Sequence, residues 1–186
     1  MKNLVISRKG FDATAGGLAS PILENGDIFS IPIPQKRWSP FRYRDLRFNE
    51  FSGEEILNLI GAKSISGKDF CHNDPLLSGK NGIFGQAGGA QGELDNFGIE
   101  KGDLFLFFGW FRQYQQGGPD LHHLFGWLEV EKIIKGNLEI VNFLSKNGLS
   151  HPHGTEDLKQ FKNNTIYIAS RNLTFSNSVR DLKGHG

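Results

Sequence analysis

The sequence contains a single cysteine, Cys71, so the chain cannot form an internal disulfide. Such cysteine usage is typical of proteins in a reducing compartment. The sequence also lacks an apolar leader at its amino terminus, and no apolar run approaches the roughly 18 residues that a membrane-spanning helix needs. We therefore expect a cytoplasmic protein that does not associate with membranes.

The chain also has little net charge, because 21 Lys and Arg stand against 20 Asp and Glu and leave a balance of +1. This balance does not support general electrostatic capture of long nucleic acid. One short segment departs from it, with five cations: Lys36, Arg37, Arg42, Arg44 and Arg47. Nucleic acid therefore remains a candidate partner only through this local basic segment.

What is present is the composition of a folded protein, with 38% hydrophobic residues, 16 Phe and 24 Gly among 186 residues. Residues 104–108 form a continuous apolar run, predicted as a strand buried on both faces, and residues 123–130 read as its antiparallel partner. Helices are predicted at 53–60, 90–97 and 138–146, the first opened by a Ser52–Glu55 capping box. We predict a single α+β domain over residues 1–186, with a mostly antiparallel sheet and short outer helices.

The segment that follows the first predicted strand has the composition of an anion site. Ser7, Arg8, Lys9 and Gly10 place two cations beside a flexible backbone, and Asp12 adds a carboxylate. Backbone N–H groups and guanidinium or ammonium groups suit a phosphate or carboxylate. The alternative is an ordinary strand end with solvated charges.

Two histidine motifs lie in predicted loops. His72 and Asp74 could act as a general base with its orienting acid, or together with His151 and His153 they could hold a divalent metal. No recognised zinc spacing is present, so we predict no metal ligands and no cofactor, with a divalent cation as the alternative. Such histidines also commonly hold irregular loops through hydrogen bonds to the backbone.

Trp110 and Arg112 are two residues apart at the end of the apolar strand, so they are expected to share a face. An indole and a guanidinium together suit a flat base or a ribose phosphate. Core packing of Trp110 is the equal alternative. Cys71 beside His72 is not predicted to be a nucleophile, because adjacent residues rarely form a catalytic dyad.

Several motifs together resemble the bacterial and phage family called nucleotide modification associated domain 3. They occur in order between residue 3 and about residue 171: Ser7-Arg8-Lys9-Gly10-Phe11-Asp12, Ser20-Pro21-Ile22, Ile31-Pro32-Ile33-Pro34, His72-x-Asp74-Pro75, Phe84-Gly85-Gln86, the run from Gly102-Asp103 through Trp110-Phe111-Arg112, Phe125-Gly126-Trp127-Leu128 and His151-Pro152-His153.

The resemblance implies an association with nucleotide and DNA-base modification. Family members look longer, so we expect that this chain lacks a C-terminal extension present in its relatives. Residues 102–134 are also similar to part of the small PUA-like barrels, which bind a nucleobase in a cleft. That second similarity implies a partly closed, PUA-like sheet.

We predict that the protein binds a nucleotide or modified nucleobase and processes it as a hydrolase or transferase. The expected catalytic residues are His72, Asp74 and Asp12. The expected ligand-binding residues are Ser7, Arg8, Lys9, Gly10, Gln86, Trp110, Arg112 and His153. Two alternatives are a non-catalytic binder, such as a modified-base reader or a sponge for a nucleotide signal in phage–host conflict, and an interaction domain without a small-molecule site.

Overall fold

The computed structural model describes residues 2–155, 157, 159–174 and 182–186. Its strands are β1 (Leu4–Arg8), β2 (Ser20–Pro21), β3 (Ile33–Pro34), β4 (Arg47–Phe48), β5 (Phe51–Ser52), β6 (Cys71–His72), β7 (Ile83–Gln86), β8 (Leu104–Arg112), β9 (Leu121–Lys135) and β10 (Thr165–Ala169). Its α-helices are α1 (Gly53–Leu59), α2 (Gly88–Asn96) and α3 (Asn137–Lys146), and a 3-10 turn covers Tyr43–Asp45. The predicted α+β class is confirmed. None of these helices combines the length and apolar character that crossing a membrane requires.

The chain divides into two compact units. The first unit comprises Met1–Ser7, Asp74–Leu106 and Gly126–Gly186, and the second comprises Arg8–Asn73 and Phe107–Phe125. The prediction of one domain over residues 1–186 stays a prediction, and each unit is described by itself below.

The first unit is organised around β10, which pairs antiparallel with β9 on one side and with β7 on the other. In the β7 pairing, Ile166 lies opposite Gly85 and Tyr167 lies opposite Phe84. Because side chains alternate along a strand, Ile166 and Tyr167 project to opposite faces of the sheet. Each face therefore has its own packing.

Helix α3 covers the Ile166 face. Ile140 and Leu144 of α3 join Ile166, Ile83 and Ile134 in one buried apolar cluster. The three-to-four-residue spacing of the apolar positions on α3 predicts this contact, because such residues lie on one side of a helix. The face of β7 that carries Gly85 therefore lies on the same side of the sheet as α3.

The opposite face is aromatic. Phe84, Phe105 and Tyr167 pack with ring centroids 4.8 to 5.6 Å apart. The Tyr167 hydroxyl hydrogen-bonds the Gln91 side chain of α2 at 3.0 to 3.1 Å, and burial raises the pKa of Tyr167 to about 12. Helix α2 is thus attached to the sheet by a satisfied buried polar contact.

The strand order of the main sheet is β1-β8-β9-β10-β7, and β2 pairs parallel with β8. The sheet is therefore mixed, and within the described residues its path is not closed. The partly closed, PUA-like arrangement accordingly stays a prediction. Strand β8 differs from the expectation of burial on both faces, since Leu106 and Phe108 are only half-buried while Phe105 and Phe107 are buried.

The second unit has a separate apolar core. Phe11, Ile31, Tyr43 and Leu57 are among its buried members. Helix α1 begins with the predicted capping box, in which Ser52 and Glu55 bond reciprocally. Cys71 is buried in this core, and burial raises the pKa of its thiol to about 12, so the thiol stays protonated at neutral pH. A protonated buried thiol is inert, in line with the absence of a predicted nucleophilic role.

Candidate functional site

A buried polar cluster lies on the α3 side of the first unit. Its members are Asp74, His151, His153 and Asn164, which are at most 6% exposed. Asp74 precedes β7, the two histidines follow α3, and Asn164 immediately precedes β10. The β7–β10 pairing therefore brings together segments that are far apart in the sequence.

His151 and Asp74 form the centre of this cluster. The backbone N–H of His153 donates to Nδ1 of His151 at 3.2 Å, so that nitrogen must be unprotonated. The proton of the neutral ring is therefore on Nε2, which donates to Oδ1 of Asp74 at 3.1 Å. Oδ1 also accepts the backbone N–H of Gly85 at 2.6 Å. Both ring nitrogens of His151 are thus engaged, and its side chain and that of Asp74 are fully buried.

The tautomer of His153 is fixed by Asn164. The side-chain amide of Asn164 donates to the carbonyl of His153 at 2.9 Å and to Oδ1 of Asn137 at 2.6 Å. With the amide hydrogens used, Oδ1 of Asn164 accepts from Nδ1 of His153 at 2.5 Å. The lone pair of the neutral His153 ring is consequently on Nε2.

The His153 ring is held between two surfaces. It stacks on Phe161 with ring centroids 4.6 Å apart and an interplanar angle of 11°. On β7, a Cβ added to Gly85 would lie 2.3 Å from Cδ2 of His153. Only glycine therefore leaves room for the imidazole at this position of the strand.

This arrangement assigns different chemistry to the members of the cluster. His151 and Asp74 orient each other and the end of β7, and they have no solvent-exposed side-chain surface. His153 has a fixed tautomer whose basic nitrogen is Nε2, as a proton acceptor or a metal ligand requires. Because Nε2 of His151 is engaged with Asp74, His151 is not available to a metal in this arrangement. Metal binding by the histidine loops stays a prediction.

Gln86 lies next to Gly85 at the end of β7, where it pairs with Thr165 of β10. Its side chain is half-buried, and Oε1 accepts the backbone N–H of Ala87 at 3.2 Å. Of the predicted site residues in the first unit, Asp74 and His153 therefore join one hydrogen-bonded cluster through His151, and Gln86 borders it along the chain. Ser7, half-buried in β1, is also part of this unit.

The anion segment in the second unit is held mainly by its own loop. Oδ1 of Asp12 accepts from Thr14 N, Thr14 Oγ1 and Ala15 N, each at 2.7 Å. Partial burial alone would raise the pKa of Asp12, but these bonds and the nearby Arg8 outweigh it and lower the pKa. Arg8 lies 3.8 Å from Asp12 across an exposed ion pair. Asp12 therefore holds the turn, whereas its predicted catalytic role stays a prediction.

Gly10 and Lys9 fix the path of the same segment. Gly10 has φ +78°, and a Cβ there would lie 2.3 Å from Oγ of Ser30. The N–H of Lys9 donates to the carbonyl of Phe108 at 2.9 Å. Close backbone packing within this unit therefore explains why residue 10 is a glycine, and no ligand is needed to explain it.

His72 lies in β6, opposite Ile33 of β3. Its Nδ1 hydrogen-bonds Oε1 of Gln35 at 2.8 Å, and the Gln35 amide donates to the carbonyl of Trp38 at 2.7 Å. Because Oε1 of Gln35 can only accept, Nδ1 of His72 donates, and Nε2 is the basic nitrogen of the neutral ring. The ring is half-buried.

Trp110 and Arg112 share a half-buried face of β8, as their spacing predicts. Arg112 bonds Asp120 through Nε, and its guanidinium lies 5.8 Å from the centroid of the Tyr114 ring. The hydrogen bond to Asp120 raises the pKa of Arg112, and the bonds from Arg112 and Trp110 lower that of Asp120. The pair thus has a carboxylate partner within the protein, while ligand binding there stays a prediction.

Two members of the buried polar cluster, His151 and Asn164, and the adjoining Gly85 are not among the predicted catalytic or ligand-binding residues. Two of them had a signal, because Gly85 and His151 fall in the short motifs Phe84-Gly85-Gln86 and His151-Pro152-His153. Asn164 had none, since a lone asparagine before a strand is common at turns.

The described chain is thus an α+β protein with a buried histidine–aspartate cluster on one face of its sheet. The family model for nucleotide modification associated domain 3 matches residues 3–185. The chain belongs to this family, and the resemblance inferred from its short motifs is confirmed. Comparisons with curated proteins and with solved structures give no significant match.

Proposed function

We propose that this protein binds a nucleotide-type ligand, either a nucleotide or a modified nucleobase, and processes it by hydrolysis or group transfer. The observation that carries the proposal is the family match, whose description is nucleotide modification and which spans residues 3–185. The phage or bacterial setting and the action on DNA bases belong to the same proposal.

The geometry of two histidines supports the proposal. His72 is half-buried and has its tautomer set by Gln35, so Nε2 is the basic nitrogen that a proton-transfer step needs. His153 has its tautomer set by Asn164 and its ring plane set by Phe161. Fixed rotamers and tautomers are what pre-organised sites require. In this proposal Asp74 is a positioning residue, because its carboxylate holds His151 and β7.

A second candidate function is binding without chemistry, as in a modified-base reader or a protein that sequesters a nucleotide signal. One observation favours it: the Asp74–His151 pair, which has the composition of an acid–base dyad, is fully buried and both nitrogens of His151 are engaged. A sealed dyad stabilises the fold but does not transfer a proton to a ligand.

The proposal is tested by adding nucleotides and modified nucleosides to the purified protein, with and without Mg²⁺, and measuring the unfolding temperature. A ligand that binds only the folded protein stabilises it by about 2.7 kcal/mol at a concentration of 100 Kd. We expect at least one compound to raise the unfolding temperature, and His72→Gln to slow its turnover about 100-fold or more. The exposed His122→Gln is the matched control and is expected to leave turnover unchanged. A panel in which no compound stabilises the protein would overturn the proposal.

A further inference from the structure

The second unit contains a pocket beside Gln35, the hydrogen-bond partner of His72. It has a volume of about 430 Å³ and lies between residues 34–42 and residues 64–70. This volume is within the range of small-molecule sites, roughly 300–1,000 Å³. Lys36 and Arg42 of the local basic segment are among the residues that line it.

Backbone hydrogen bonds hold both walls of the pocket. The carbonyl of Phe70 accepts from the N–H of Gln35 at 2.9 Å, and the N–H of Cys71 donates to the carbonyl of Phe41 at 3.1 Å. The carbonyl of Asp69 accepts from the N–H of Tyr43 at 3.2 Å. The walls therefore do not depend on exposed side chains for their position.

The lining is cationic. Lys36, Arg42 and Lys68 contribute three positive charges, and Asp69 contributes one carboxylate. The carboxylate is turned toward its own loop, where Oδ2 accepts from Ser66 N at 2.7 Å and from Ser66 Oγ at 3.1 Å. Among the residues that the structure describes, the side chains of Lys36 and Lys68 are exposed, and their ammonium groups have no hydrogen-bond or ion-pair partner. The lining thus has an excess of positive charge that the protein itself does not neutralise.

Arg42 is the ordered member of this set. Its guanidinium lies 3.9 Å from the centroid of the Phe70 ring and donates to the carbonyl of Lys68. Stacking on an aromatic face fixes the plane of the guanidinium and so lowers the entropy lost when it binds an anion. The pocket therefore combines one pre-positioned cation with two exposed ones.

We infer that this pocket binds the phosphate group of a small phosphorylated ligand through Arg42, Lys36 and Lys68. The inference deepens the proposed function and rests on it for the choice of a nucleotide as the phosphorylated molecule. It also differs from the expectation placed on Arg8, since the Arg8 guanidinium already faces Asp12 at 3.8 Å. Phosphate is favoured over an apolar ligand because charge-assisted hydrogen bonds are the strongest polar contacts such a lining offers.

The test is isothermal titration of the full chain with inorganic pyrophosphate, adenosine 5′-monophosphate and adenosine. The variant is Lys36→Gln with Lys68→Gln. Its control is Lys63→Gln with Lys146→Gln, which removes the same charge from exposed positions that do not line the pocket. We expect the pocket variant to bind pyrophosphate and the monophosphate at least about tenfold more weakly, because charged hydrogen bonds are lost. The control should bind within about twofold of the native chain.

Equal binding of pyrophosphate by the pocket variant and the control would overturn the inference, and so would a native chain that binds no pyrophosphate. If a nucleoside still binds or is converted, the proposed function stands even when either of these results overturns the anion pocket. Loss of pyrophosphate binding in the pocket variant, in a protein that neither binds nor alters any nucleotide, would uphold the anion pocket and contradict the proposed function.

Discussion

Gly85 packs directly against the ring of His153 at the buried polar cluster. A Cβ on Gly85 would lie 2.3 Å from Cδ2 and 2.7 Å from Nε2 of His153, well inside van der Waals distance. The ring cannot move away freely, because Phe161 stacks on it and Asn164 bonds its Nδ1. The glycine is thus required by its neighbour and not by its own backbone conformation.

Gly85→Ala is therefore expected to destabilise the protein by about 1–3 kcal/mol through overpacking. Urea unfolding measures this change. In the background of His153→Ala the same substitution should cost clearly less, since the clashing ring is absent, and the double-mutant cycle should give a coupling of at least about 0.5 kcal/mol. Gly89→Ala in α2, where an added Cβ meets nothing within 4 Å, is the control. An additive cycle would contradict the steric account.

The carboxylate of Asp103 leads to a second prediction at a single residue, on how the stability of the fold depends on pH. Its carboxylate accepts from Asn3 N at 2.7 Å, Asn3 Nδ2 at 3.0 Å and Glu100 N at 2.9 Å. Burial alone would raise the pKa of Asp103, but these bonds and the nearby Lys2 outweigh it and lower the pKa. A carboxyl whose pKa is lowered by folding stabilises the native state above its unfolded pKa, and loses that contribution as the pH falls through the folded pKa.

Asp103→Asn is consequently expected to cost about 1–3 kcal/mol at pH 7, because it removes the charge of a buried acceptor that holds three N–H groups. The difference from the native chain should shrink as the pH falls below about 4, where the unfolded carboxyl becomes protonated, and disappear as the pH falls through the lower pKa of the native carboxyl. Urea unfolding at pH 7 and pH 3 measures both values, with the exposed Glu24→Gln as the control. A difference that is the same at both pH values would show that charge is not its source.

Individual residues also show where the sequence is a poor guide. The spacing of Trp110 and Arg112 correctly predicts a shared face, because strand geometry alone decides it. The carboxylate partner of Arg112, Asp120, comes from the following loop and has no signal in the strand. Asp12 reads as a chemical group in the sequence, whereas in the structure it accepts three hydrogen bonds from its own turn.

At the scale of elements, helix α1 is the most direct link from sequence to structure. Oγ of Ser52 accepts from Glu55 N at 3.2 Å, and Oε2 of Glu55 accepts from Ser52 N at 2.7 Å. The two residues lie three positions apart, which is the spacing of the capping box that predicts a helix start. The helix then packs Ile56 and Leu57 into the core of the second unit.

Ser52→Ala should therefore destabilise the protein by roughly 0.5–2 kcal/mol, since the N–H of Glu55 at the start of α1 loses its capping acceptor. Thermal unfolding followed by circular dichroism measures the loss. Ser52→Thr retains a capping hydroxyl and is expected to stay near the native value. Equal losses in the two variants would mean that the packing of residue 52, and not its cap, matters.

Strand β7 has little local signal in the sequence. It covers only four residues, Ile83–Gln86, one of which is a glycine. Its identity as a strand depends on β10, which follows about 80 positions later in the chain and supplies its hydrogen bonds. Local propensity cannot encode such a pairing, because the partner is absent from any sequence window.

At the scale of the whole molecule, the candidate site follows from long-range contacts of this kind. His151 and Asp74 are separated by 77 positions in the chain, and their side chains meet in the buried polar cluster. The family and the α+β class could be predicted from ordered motifs and periodicity. That three of those motifs meet at one buried polar cluster could not be predicted, since nothing within one motif indicates which distant motif it contacts.

The two compact units carry different parts of the proposed chemistry. The first contains the buried polar cluster with His153, and the second contains His72 and the cationic pocket. Gly85→Ala therefore tests the packing of the buried polar cluster in the first unit. Lys36→Gln with Lys68→Gln tests anion binding by the pocket in the second unit.

The most direct test of the central claim is mass spectrometry of nucleotides recovered after incubation with the protein. The chain is mixed with the compound that most raises its unfolding temperature, then denatured, and the small molecule is analysed. The account predicts a product of changed mass with the native chain and unchanged starting compound with His72→Gln. Unchanged compound from the native chain would contradict processing and identify a binding protein, and the absence of any bound nucleotide would contradict the account as a whole.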